Sequence, residues 1–69
     1  MKSIKKQIEY VESNTKYRID RCEKVSLNGH KAVSLEFSRP HSQNTRYSMS
    51  TVVFADEIID FFLNLCETE

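Results

Sequence analysis

Four residues of this chain, Cys22, His30, His41 and Cys66, are of the types that ligate transition metals or serve as nucleophile and base. A structural zinc site presents its ligands in pairs roughly two to five residues apart on a short loop, and no pair among these four has that spacing. A thiol nucleophile needs a base beside it, and nothing in the sequence brings either histidine to a cysteine. Cys66 reads as a core residue, Cys22 as a residue of either face, His30 as a turn residue and His41 as a loop residue. Carboxylates cluster in ADEIID, residues 55–60. Asp56 and Glu57 suit the positive end of a helix there and need no chemistry to explain them. One glycine cannot build a phosphate-cradling loop. No metal, no cofactor and no catalytic activity are expected.

These residues hang on a simple pattern of elements. Ile4, Ile8 and Val11 recur at helical spacing behind a Ser3 cap, with Lys5, Lys6, Glu9 and Glu12 on the other faces, so a short amphipathic helix is expected, broken by SNTK. Over residues 17–27 the period turns to two. Tyr17, Ile19, Val25 and Leu27 share one parity, and the charged Arg21 and Glu23 interrupt it, which points to a bulge or an edge strand.

LNGH then carries the only glycine and is a strong hairpin signal. A two-residue Asn28-Gly29 loop would set Val25 against Ala32. A three-residue loop over 27–29, with Gly29 left-handed, would place Ile19 across from Phe37 and is the expectation here. KAVSLEF alternates with Val33, Leu35 and Phe37 inward. SRPHSQNT reads as a polar connection closing a second hairpin. Residues 46–53 set Tyr47, Met49, Thr51 and Val53 against Arg46, Ser48 and Ser50.

At helical periodicity residues 55–66 place Ala55, Ile58, Ile59, Phe61, Phe62, Leu63, Leu65 and Cys66 on an arc of about 200°, wider than the roughly 100° that a sheet face asks for. Two helices on one face of the sheet account for the surplus. Only Phe61 or Leu63 then remains as an outer contact. The open side of the sheet should show Arg18, Ser34, Glu36, Arg46, Ser48 and Ser50, without the aromatic platform that single-strand binders use.

A chain of 69 residues makes one domain, residues 1–69, that buries only about 60% of its unfolded surface, so a partner or a second copy would help it. Formal net charge is zero, without the basic excess of a dedicated nucleic-acid binder. The charges are nonetheless divided. Residues 1–50 carry all ten Lys and Arg, while residues 51–69 carry five acids and no base. The lysines of MKSIKKQIEYVES precede no apolar run, and the longest such run anywhere is the four residues 52–55. Neither an export signal nor a membrane span is expected, and the two cysteines read as reduced cytoplasmic thiols.

Helix, three strands and helix, with LNGHKAVSLEF as the first hairpin, resembles the double-stranded-RNA-binding domain. The resemblance implies that His30 and Lys31 reach a minor groove. That family places a lysine cluster at the start of its last helix, and here those positions read Phe54, Ala55, Asp56 and Glu57. The same layout resembles small phage-encoded inhibitors of the anti-CRISPR type. Some of these present an acidic surface where nucleic acid would otherwise sit, and the resemblance gives Asp56, Glu57, Asp60 and Glu67 that part.

The expectation is therefore an α+β fold, α-β-β-β-α, with a three-stranded antiparallel sheet and two helices packed on one face. The expected function is protein binding, as an inhibitor or adaptor of bacterial or phage type, through Asp56, Glu57, Asp60, Phe61 and Leu63. The alternative is a nucleic-acid-binding module using Arg18, His30, Lys31 and Arg46, and a third reading is a homodimer held by Phe61 or Leu63.

Overall fold

A computed structural model describes residues 3–68. Helix α1 spans Ile4–Asn14, strand β1 Arg18–Leu27, β2 His30–Ser42, β3 Thr45–Phe54 and helix α2 Ile58–Glu67. The strands form one antiparallel sheet in the order β1-β2-β3, so β2 is central and both of its neighbours are edges.

α1 starts where Ser3 Oγ accepts the Lys6 N–H at 3.1 Å, relieving one of the orphan donors of the first turn. Thr15 ends it. Its N–H and its hydroxyl both donate to the Val11 carbonyl, and its Oγ1 then accepts the Tyr17 N–H, so one side chain closes the helix and leads the chain towards β1. The break therefore falls inside SNTK, with Ser13 and Asn14 still helical.

The first hairpin differs from expectation in an informative way. Leu27 pairs with His30, which leaves a two-residue loop with Asn28 at φ 52° and Gly29 at φ 80°, both left-handed as a type I′ turn requires. The three-residue loop is thus corrected, yet Ile19 still faces Phe37. The extra residue lies in the strand instead, in a bulge at Asp20 where the register shifts between Ile19 and Arg21. Because side chains alternate, that one residue exchanges the faces of β1. Tyr17 and Ile19 pack toward the helices, whereas Val25 and Leu27 turn to the open face and Cys22, paired with Leu35, faces the core.

Val33, Leu35 and Phe37 from β2 meet Val11 of α1, Tyr17, and Ile58 and Phe62 of α2 in one buried cluster. Tyr17, Phe37 and Phe62 form a ring trio with centroids 4.9–5.7 Å apart, tilted or edge-on, each contact adding on the order of 0.5–1.5 kcal/mol beyond area burial. On α1 the inward stripe is Ile4, Gln7 and Val11, and Ile8 lies at the flank beside Lys24 of β1.

Thirteen residues of β2 at about 3.3 Å each make the long axis, 41 Å, whereas eleven helical residues reach only about 16 Å. The β2–β3 hairpin therefore projects past the helices. The expected polar connection is mostly strand, with a turn only at Gln43 and Asn44. Tyr47, expected inward, keeps the helix-side parity but lies beyond helix cover and is 51% exposed, flanked by Arg39 and His41. Pro40 pairs with β3 beyond the last β1 pair, Arg18 with Ser38, where no third strand asks for its missing N–H.

Candidate functional site

α2 begins at Ile58, three residues later than the apolar arc suggested, because Glu57 N–H turns back to the Phe54 carbonyl at 3.0 Å. Ala55 and Asp56 lie in the turn before it. Glu57 occupies the cap position without a side-chain hydrogen bond, and α1 supplies the missing group. Gln7, buried to 2% exposure, donates from Nε2 to the Ala55 carbonyl at 2.7 Å and accepts the Ile59 N–H at Oε1, 3.4 Å away. One amide thus caps α2 across 52 residues of sequence.

With α2 set this way, Glu57, Asp60, Phe61 and Asn64 follow the i, i+3, i+4, i+7 rule and share one flank of the helix. Together with Val53 of β3 they line a groove of about 360 Å³ on the helix side of the sheet. Its floor is apolar, since Phe61 and Val53 are half-buried against the core, and its rim is acidic, since Glu57 and Asp60 are exposed. Phe61 is held edge-on to Phe37 and Phe62 at 5.9 and 5.1 Å.

Five residues were expected to form a partner surface, and three of them, Glu57, Asp60 and Phe61, meet in this groove. Asp56 is around the corner. It lines a larger hollow of about 610 Å³ with Ser3, Ile4, His30, Lys31 and Phe54, to which Glu57 also contributes. Leu63 is 41% exposed but lies about 160° around the helix from Phe61, so the two do not make one patch. Val53 and Asn64 were missed, although the spacing of Asn64 from Asp60 and Phe61 carries the signal.

The nucleic-acid quartet does not converge. His30 and Lys31 sit at the first turn, while Arg18 and Arg46 flank Ser38, eight residues or about 26 Å further along β2. Both guanidinium groups there are engaged. Arg18 Nε donates to Asp20 Oδ1 at 2.8 Å, and Arg46 donates to Ser38 Oγ at 3.0 Å and to its carbonyl at 3.3 Å. The bond from Arg18, and after it one from the Ser38 side chain, holds the Asp20 carboxyl below its ordinary range.

His30 packs edge-on to Phe54 and His41 against Tyr47, and the two histidines stand eleven residues apart on β2, about 36 Å. Among the described residues no cluster of three or more His, Cys, Asp or Glu could hold a metal ion. Cys22 and Cys66 are free thiols, and burial pushes the Cys22 thiol up, against a smaller opposing pull from Lys24. No helix among the described residues is long and apolar enough to cross a membrane. Compared with known proteins, the chain matches no family model, no curated protein and no solved structure.

Proposed function

We propose that this chain is a non-catalytic protein-binding module, working in the cytoplasm as an inhibitor or adaptor of the kind that small bacterial and phage proteins provide. The observation that carries the reading is the α2 groove, where the Phe61 and Val53 floor lies beneath Glu57 and Asp60 with no base anywhere in residues 51–69. An apolar floor supplies area to bury, and a one-sign rim selects partners of the opposite sign and speeds their approach. Free thiols on Cys22 and Cys66 suit a reducing compartment.

Asp60→Lys and Phe61→Ser test the groove from its two sides. A protein captured from the native host by the parent chain, then purified and titrated, should bind each variant at least about tenfold more weakly, the equivalent of about 1.4 kcal/mol. Equal binding by both variants would show that the groove is not the surface. A gel shift with duplex RNA or DNA that is tight at about 50 mM salt and lost by about 200 mM would instead assign the chain to nucleic acid.

A further inference from the structure

The two edges of the sheet are built differently. β1 is guarded in three ways: half of its ten residues are charged (Arg18, Asp20, Arg21, Glu23, Lys24), it carries the Asp20 bulge, and its outward Ile19 N–H is taken by Glu12 Oε2 of α1 at 3.1 Å. These are the devices by which sheets keep other strands away. β3 has none of them over residues 47–54, which contain no charge, no proline and no glycine. Its pairing with β2 runs unbroken from Phe54 opposite Ala32 to Arg46 opposite Pro40.

The ladder fixes which groups of β3 look outward. Ala55 N–H donates to the Lys31 carbonyl, so Lys31 and Ala55 are a hydrogen-bonded pair and the odd-numbered residues of β3 spend their backbone groups on β2. Ser48, Ser50 and Val52 therefore point N–H and C=O away from the sheet, and among the described residues nothing pairs with them. Their side chains fall on the open face, where Val52 is 48% exposed. On the helix side the same edge is overlooked by Glu57, Asp60 and Phe61 in the α2 groove.

We propose that β3 is an acceptor for strand addition: an extended segment of a partner protein, basic and apolar at alternate positions, pairs with Ser48, Ser50 and Val52 as a fourth strand. This rests on the reading of the α2 groove as a protein-binding surface. Backbone pairing supplies affinity in such complexes, and alternate side chains supply specificity. On the helix side, Lys or Arg residues meet Glu57 and Asp60, with their stems over Phe61. On the open side, apolar residues meet Val52 and Phe54. Charge selects a basic segment: Glu57 and Asp60 are the charged residues lining the groove on the helix side of this edge, and a second copy is the competing occupant that the test resolves.

The test uses the full chain, labelled with nitrogen-15, and short capped peptides as probes. A peptide of alternating lysine and valine should shift the Ser48, Ser50 and Val52 amides and slow their hydrogen exchange. N-methylation of the peptide backbone along one edge should weaken binding about tenfold or more, and a glutamate–valine peptide should not bind. If the N-methylated peptide binds as well and shifts only Glu57, Asp60 and Phe61, strand addition is overturned while the groove survives as a binding surface. If the lysine–valine peptide shifts neither set, both ideas fall. If the three amides are already protected without peptide and the particle mass is doubled, a second copy holds the edge and the proposal is wrong.

Discussion

Replacing Gln7 with leucine removes the amide that caps α2 from a distance while keeping an apolar side chain of similar length. Two buried or half-buried backbone groups then lose their partner, the Ala55 carbonyl at 2.7 Å and the Ile59 N–H at 3.4 Å. A buried polar group left unsatisfied costs about 1–3 kcal/mol. The short bond to Ala55 should account for most of the loss, because the Ile59 contact is long and that amide lies near the helix end where water can reach it. The expected destabilisation is about 2–3 kcal/mol, which in a domain of this size lowers the melting temperature by roughly 8–24 °C.

Urea unfolding followed by far-ultraviolet circular dichroism measures it, with an unchanged slope showing that the unfolded state is not what moved. Gln7→Glu separates the two bonds, since it keeps an acceptor for Ile59 N–H but turns a carboxylate toward the Ala55 carbonyl. It should be the worse variant at neutral pH and should recover in part when protonated. If Gln7→Leu costs less than about 0.5 kcal/mol, the buried amide is not what holds the start of α2 against α1, and the placement of the groove loses its physical basis.

Gly29→Ala should cost about 1–2 kcal/mol in the same assay purely through the backbone, because φ is +80° and a methyl group there would meet no atom within 4 Å. Asp20→Asn should be less stable than the parent at neutral pH. The native carboxyl is held below its ordinary range by Arg18 and Ser38, so its stabilising contribution is complete above the unfolded value and disappears as pH falls through the native one. The two urea midpoints should therefore converge in acid; a gap that persists at the lowest pH would locate the effect in the bulge geometry instead of the charge.

What the sequence made legible follows from where each interaction is decided. Val33, Leu35 and Phe37 alternate because β2 is central and its helix side is covered from Val33 to Phe37, so pattern and burial agree there. The pairing of Ile19 with Phe37 was also readable, but its cause was not. An extra residue anywhere between the paired positions produces the same register, and the turn at Asn28-Gly29 and the bulge at Asp20 differ only in local backbone energies that a residue pattern does not display. Gln7 was missed because a polar residue on a helix reads as solvent-facing; its partners lie 48 and 52 residues away, beyond any local period. Tyr47 was misplaced for a different reason. Parity predicts the face of a sheet but not how far along it a helix extends.

The Asp20 bulge links these observations to the binding reading. Without an extra residue, Tyr17 and Ile19 would face away from the helices, and the ring trio around Phe37 and Phe62 would lose a member. The same insertion interrupts the outward row of β1, and Glu12 takes the Ile19 N–H beside it. One residue thus serves the core and guards an edge. β3 needs no such correction between Arg46 and Phe54, where its parity already matches β2 and the register shifts only beyond Pro40, and its edge there is left open as a consequence. The acidic rim of α2 lies on the helix side of that edge, so the backbone groups of Ser48, Ser50 and Val52 and the carboxylates of Glu57 and Asp60 together suit an extended, basic partner.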